Sequence, residues 1–287
     1  MFKLNGKEHD LGGGMIVRRV LPQRLKRKVG PFVFLDHMGP VEIAPEQNTD
    51  VRPHPHIGLS TLTYLFAGRL MHRDSLGTVS LIEPGGVNWM TAGRGISHSE
   101  RAHQSDRERV HPLHGLQFWI ALPDETEDCD PSFQHYHREL IPKNQNKERE
   151  LAVIAGEGFG LRSPVKTSSP LIFVEVKANK KFTLDLTEFK NFELAVYMIA
   201  GLAHSQGEVI EPLQMLFFEK NQADKIEVDI DAHLVVIGGE PIVTERHMWW
   251  NLVSSSLEKI ERAKRQWKEG TFPMVPGETE FIPLPEK

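Results

Sequence analysis

Arg52-Pro53-His54-Pro55-His56-Ile57-Gly58 is followed, 42 residues after His56, by His98-Ser99-Glu100. Each histidine triplet holds two potential metal ligands at positions i and i+2. On a β-strand side chains alternate faces, so i and i+2 point the same way. Two such strands facing one cavity bring His54, His56, His98 and Glu100 to a single ion. Three imidazoles and one carboxylate suit one divalent transition metal ion, with Fe(II) the leading candidate, although other divalent ions accept the same donors. Four protein ligands on an ion that prefers six leave two positions open to water, dioxygen or a chelating organic substrate. A lone HxH is often a surface pair or two hydrogen-bonded core histidines, so the second triplet makes the metal reading specific. It is reached through Glu83-Pro84-Gly85-Gly86-Val87-Asn88-Trp89-Met90-Thr91-Ala92-Gly93-Arg94-Gly95-Ile96-Ser97. Glycines and proline at that density mark tight turns that re-aim the chain.

Outward from these triplets the pattern is all-β. Ile16 to Leu21, Phe32 to Met38, Leu59 to Phe66, Leu70 to Asp74, Thr78 to Ile82 and Gly115 to Leu122 read as strands rich in β-branched and aromatic residues. Pro142 to Glu150 is polar and predicts an exposed turn or linker. Strands resume at Leu151 to Ala155, Leu171 to Ala178, Lys181 to Leu186, Leu194 to Ala200, Met215 to Glu219 and His233 to Gly238. Many short strands with Gly/Pro punctuation predict a sandwich or barrel, repeated in the second half. A helix signal comes late: serines 254–256 precede Leu257, Ile260 and Trp267, and Gly270 offers a stop. The tail from Pro273 is proline-rich and predicts an extended segment laid over another part of the molecule.

The chain has 287 residues, 39% hydrophobic and 25% charged, enough for one large or two medium domains. No apolar run approaches the roughly 18–20 residues that span a bilayer, and the first residues lack the apolar stretch of a secretory signal. The single cysteine, Cys129, excludes an intrachain disulfide and a thiolate zinc cluster. It sits in the acidic loop Asp124-Glu125-Thr126-Glu127-Asp128-Cys129-Asp130, where neighbouring carboxylates disfavour a reactive thiolate. Net charge is −5 and the basic cluster Arg24-Leu25-Lys26-Arg27-Lys28 is short, so direct nucleic-acid binding is not expected. The expectation is a cytoplasmic protein without a membrane anchor, with a nuclear pool if the source has a nucleus.

Gly30-Pro31-Phe32-Val33-Phe34-Leu35-Asp36-His37, the HPH segment, Pro84 to Glu100, and His114-Gly115-Leu116-Gln117-Phe118-Trp119 together resemble the pirins, a branch of the cupin superfamily. The resemblance implies two tandem cupin barrels. The expected organisation is a metal-binding barrel over 1–140, a barrel without a ligand set over 150–250, and a helix and extended tail over 251–287. It implies the same four ligands as the spacing, iron as the usual metal, and quercetin 2,3-dioxygenase activity alongside roles as a regulator acting through protein partners. The partners it implies are a small flavonol-like aromatic substrate and dioxygen. The alternative is an iron-containing, redox-responsive binding protein. His37 and His114 are candidates for orienting the ligands from behind, with structural packing the competing reading, and Gln117 needs a partner inside the cavity. Glu100 has two candidate roles, as ligand throughout or as the base that takes a substrate proton. Several pirins carry a glutamate where this chain has Ser60, a change that bears on substrate reach or charge near the cavity.

Overall fold

The computed structural model describes residues 2–11 and 15–286. The chain divides into two compact β units, and the division is not a single cut. One unit holds Arg19–Leu35 and Glu139–Ile242 with the N-terminal residues up to Lys7; the other holds Glu8–Arg18, Asp36–Arg138 and the chain from Val243 onward. The units change at 138/139 and 242/243, and Arg19–Leu35 and the residues up to Lys7 go with the second half of the chain. Phe2–Asn5 goes with the C-terminal barrel because it pairs with Gln214–Phe218, with Phe2 stacked on Phe217. The C-terminal helix and tail belong to the unit that carries the metal-ligand triplets.

In the C-terminal barrel a long antiparallel sheet orders Phe2–Asn5, Gln214–Phe218, Glu193–Ala200, His233–Gly239, Leu171–Ala178, Arg149–Gly158 and Lys143–Gln145. A second sheet orders Phe182–Asp185, Lys225–Val228, Ala203–Ser205 and Glu208–Ile210. Alternate residues such as Val174, Val176, Val196 and Val236 meet Leu184, Ile226 and Val228 in one aliphatic core. Its histidines are used elsewhere, His204 against Asp229 and His233 against Glu175. The polar stretch expected as an exposed turn or linker holds the turn of a hairpin: Lys143–Gln145 pairs with Arg149–Gly158, and the Asn146 side-chain oxygen accepts from the N–H of Glu148 and Arg149. Lys143, Asn144 and Gln145 are all exposed, so hydrophobic alternation carries no sign of that strand.

A larger sheet orders Ser132–Tyr136, Val87–Thr91, Leu59–Ala67, His111–Ala121, Phe32–Ile43, Ile16–Leu21 and Lys7–Asp10, the first four lying wholly in the unit that carries the two triplets. The smaller sheet orders Val51–His56, Ile96–Ala102, Leu70–Asp74 and Val79–Ile82. The two ligand triplets thus lie on neighbouring strands of one sheet, with His98 opposite His54. Leu65, Leu70, Ile82 and Leu113 form part of an apolar cluster. Along Leu70–Asp74 the buried residues pass from Leu70 to His72 to Asp74, so the lining changes from apolar to charged within one strand.

Gly58, two residues past His56, has φ +67°, and a Cβ there would stand 2.1 Å from the Val253 carbonyl oxygen. Only glycine tolerates both the left-handed backbone and that approach. The approach lets Leu252 bridge to Ile57 and brings Asn251 to His56. The helix follows as Leu257–Lys268. Its buried face is Ile260, Ala263 and Trp267, packed with Ile57, Leu252 and Phe272. Leu257, expected in that stripe, is 61% exposed at the first helical position. Glu127 of the acidic loop is buried, accepts from the Ser255 N–H and both serine hydroxyls, and so ties the loop to the helix start.

The tail lies over the outer face of Ile96–Ala102. Alternation turns His98 and Glu100 to one side of that strand and Ser97, Ser99 and Arg101 to the other. Ser97 donates to the Pro273 carbonyl at 2.6 Å and Ser99 to Glu278 at 2.5 Å. Arg101 bonds Glu278, Glu280 and Asp50. Ile282 N–H reaches the Pro53 carbonyl, and Trp267 Nε1 donates to the Ile282 carbonyl. Removing Glu278 takes the most buried tail carboxylate from the Arg101 guanidinium and the acceptor from the Ser99 hydroxyl, leaving Asp50 and Glu280 to compensate the charge only in part. Glu278→Ala is therefore expected to lower stability in urea by about 2 kcal/mol or more, whereas an unchanged midpoint would mean the tail does not brace the strand.

Candidate metal centre

His54, His56 and His98 present ring nitrogens that all lie within 4.8 Å of one another, and all three imidazoles are buried. His56 Nε2 and His98 Nε2 are 3.2 Å apart. Two nitrogens each about 2.1 Å from one ion are separated by about 3.0 Å at a right angle and about 3.4 Å at the tetrahedral angle. The observed separation fits a shared cation.

Hydrogen bonds fix which nitrogen faces inward. His54 Nδ1 lies 2.9 Å from the Arg52 carbonyl oxygen and His56 Nδ1 2.9 Å from that of Asn251. A carbonyl only accepts, so each Nδ1 carries the hydrogen and each Nε2 keeps a free lone pair. His98 Nδ1 instead meets His72 Nδ1 at 3.3 Å. His72 Nε2 is 3.0 Å from the Asp74 carboxylate. Asp74 also accepts from the N–H of Leu76 and Thr78. Although burial works against its charge, the hydrogen bond from His72 and those from the backbone hold its carboxyl below the usual range. With His72 neutral and its Nε2 hydrogen on the ionised Asp74, His72 Nδ1 accepts from His98 Nδ1 and His98 Nε2 is left free. All three Nε2 lone pairs are thereby presented together.

Burial keeps them neutral. It pushes the His54 pKa down to about 4 and those of His56 and His98 well below the ordinary value, with neighbouring imidazoles adding to the shift. A neutral imidazole is the form that ligates a cation.

Glu100 projects to the same side as His98 but lies outside the cluster of nitrogens. Its Oε1 is 2.8 Å from the Thr63 hydroxyl, which is also 2.7 Å from Gln117 Oε1. Burial raises the Glu100 pKa, opposed in part by the Thr63 hydrogen bond. Thr63 has one hydrogen to give. If Glu100 is ionised, Thr63 donates to it; if Glu100 is protonated, it can donate to Thr63 and Thr63 to Gln117. Half-buried Gln117 thus has Thr63 as its neighbour. Trp119 sets its ring edge-on against His56, and Phe133 stacks on His72.

His37 and His114 are brought to each other, Nε2 to Nε2 at 2.9 Å. His114 and Gln117 are an odd number of residues apart on one strand, which puts them on opposite faces. His114 meets Phe66 edge-on, and Phe66 in turn meets Tyr64, on the face away from Thr63. Ser60 shares that far face, buried against the Thr91 hydroxyl at 3.0 Å. Burial, with Asp128 adding to it, pushes the Cys129 thiol up. Sequence reasoning missed His72 and Asp74, although His72-Arg73-Asp74 repeats the i, i+2 spacing that singled out the triplets.

Imidazole donors gathered inside one β-barrel, with a second barrel following, define a bicupin metal centre. The chain belongs to the pirin family: the model described as Pirin matches residues 14–120, and Pirin C-terminal cupin domain matches 171–273. It is 44% identical to a Pirin-like protein of Caulobacter vibrioides over 98% of each chain. Human Pirin is 30% identical, over 90% of this chain and 88% of its own. The crystal structure of quercetin 2,3-dioxygenase from Acinetobacter baumannii superposes with a TM-score of 0.91 at 35% identity, covering 100% of this chain and 95% of that one. Among the described residues no helix is long and apolar enough to cross a membrane.

Outer hydrogen-bond partners of metal-binding histidines typically contribute 10–100-fold to affinity. His72→Phe is expected to weaken divalent-metal binding by about that factor in a titration of metal-free protein; unchanged affinity would remove His72 from the site. The neutral histidines also predict a pH dependence. An unfolded imidazole protonates near 6.5 while His54 resists to about 4, so between those values unfolding takes up protons. Stability of the metal-free protein, full above pH 6.5, should fall progressively toward pH 4 in a melting series, and a flat profile would contradict the burial of neutral imidazoles.

Proposed function

We infer that this chain is a metal-dependent dioxygenase of the quercetin 2,3-dioxygenase type, acting on a flavonol-like aromatic with dioxygen. The observation that carries the reading is the convergence of three buried, neutral imidazoles whose inward nitrogens are fixed by hydrogen bonds. Whole-chain likeness to the Acinetobacter quercetin 2,3-dioxygenase supports the reaction class. In this reading His54, His56 and His98 hold a divalent ion, Fe(II) foremost, and Glu100 is the fourth ligand. The bound ion supplies Lewis acidity toward the phenolic oxygen and a redox-active centre beside it.

The protein's own groups do the rest. Glu100, its proton affinity raised by burial, is suited to receive the substrate's hydroxyl proton at a carboxylate oxygen. Thr63 meets that carboxylate in either state, donating to it when ionised and accepting from it when protonated, its own hydrogen then going to the Gln117 oxygen. Trp119 and Phe133 offer aromatic wall beside the imidazoles. Burial of the ligands keeps bulk water from competing for the substrate's place.

The test is anaerobic reconstitution with Fe(II), followed by oxygen uptake and carbon monoxide release on adding quercetin. Metal-dependent uptake is expected, with Glu100→Gln reducing turnover at least about a hundredfold, the lower range for a general base. Full turnover in a metal-loaded Glu100→Gln protein would sink the base role. Stoichiometric iron without any uptake would overturn the enzyme reading in favour of a redox-responsive regulator.

A further inference from the structure

Four neighbouring strands of the larger sheet set Gln117, Thr63, Asn88 and His135 in one row, each directly opposite the next. Directly opposed residues share a face of a sheet. Thr63, in contact with Glu100, fixes that face as the one turned toward the metal centre. Two residues along each strand the parallel row is Trp119, Thr61, Met90 and Phe133. A polar row therefore runs beside a largely apolar one that is aromatic at both ends.

Asn88 sits in the middle of the polar row and is 4% exposed. Its Oδ1 lies 2.7 Å from His135 Nδ1 and 3.5 Å from the Ser80 hydroxyl, both placed to donate to it. His135 Nε2 faces His137 Nδ1 at 3.4 Å. A hydrogen on His137 Nδ1 gives the chain one direction: His137 to His135, His135 to the amide oxygen. The amide is thus held by its oxygen, and its Nδ2 is left with no partner among the described residues. A buried donor without an acceptor is costly, and native proteins leave few. A site that binds an oxygen atom only when substrate arrives accounts for it.

We propose that Asn88 Nδ2 is a substrate-anchoring donor, binding a phenolate, carbonyl or carboxylate oxygen of the aromatic substrate, and that His135 is the residue that positions it. This rests on the dioxygenase reading and adds to it the residue that would hold a second oxygen of the substrate. The ligand is a flat aromatic carrying oxygen at more than one position, one engaged at the metal centre and another at mid-row, with its rings against the Trp119 and Phe133 row. A ligand without a second oxygen leaves the Asn88 donor unmet.

Asn88→Asp tests this directly, because it keeps the shape and the oxygen that accepts from His135 and Ser80 but replaces the donor with a second oxygen. Metal-loaded wild type and variant are titrated anaerobically with quercetin and, separately, with 2-hydroxybenzoate. For whichever probe the wild type binds, the variant's Kd is expected to rise at least tenfold, with metal content and melting temperature unchanged. Under turnover the loss should appear in KM more than in kcat. His135→Phe, which frees the amide, should weaken binding in the same direction. Equal Kd values for wild type and Asn88→Asp would overturn the proposal while leaving the dioxygenase reading intact. Binding of 2-hydroxybenzoate but not quercetin would remove the flavonol, and Asn88 would be judged on the smaller probe. Binding of neither would overturn both. Should Asn88→Asp fail to fold, Asn88→Ala decides by the same measure.

Discussion

Three imidazole rings face one another inside a barrel, and each has already spent its Nδ1 hydrogen on a fixed acceptor: Arg52 oxygen, Asn251 oxygen and His72. Much of the surrounding structure serves those commitments. Gly58 lets the chain near Val253 come close enough to deliver the Asn251 carbonyl. Asp74, buried and ionised, fixes His72 as an acceptor and so fixes His98. Without those bonds an imidazole could turn a hydrogen inward, and three neighbouring rings so close together would repel a cation rather than hold one.

The strand Ile96–Ala102 shows how one element serves stability and chemistry through its two faces. Inward it carries His98 and Glu100; outward its serines and Arg101 are bound by the tail. The brace comes from residues some 180 positions later in sequence. That brace bonds the face of the strand opposite the one that carries His98 and Glu100. The larger sheet follows the same logic. Thr63, Asn88 and Gln117 on one face serve the metal side, while Ser60, Leu62 and Tyr64 on the alternate positions are buried on the other.

The all-β, two-barrel architecture was legible because buried strands such as Leu171–Ala178 and Leu59–Ala67 are apolar runs bounded by turn residues. The three histidines were legible because i, i+2 spacing on a strand is a local rule. What escaped depends on distance in sequence. Phe2–Asn5 gains its meaning from Gln214–Phe218, and Asn251 acquires its role only through a backbone carbonyl, which leaves no side-chain signature. His72 and Asp74 had the right spacing but no second triplet to single them out. His114 had two readings inside a family motif, orientation of the ligands or packing, and its contacts with His37 and Phe66 fit the packing reading. The hairpin at Lys143–Gln145 was hidden because both faces are wet, which erases the alternation that identifies a strand.

The most direct test of the account is X-ray absorption on the metal-loaded protein, which reads the ligands of the ion without reference to activity. The account predicts one ion per chain, a shell of nitrogen and oxygen at about 2.0–2.2 Å and the multiple-scattering pattern of three imidazoles. A sulfur contribution, a shell with one imidazole or none, or a protein that takes up no ion would contradict the convergence of His54, His56 and His98 on which the rest depends.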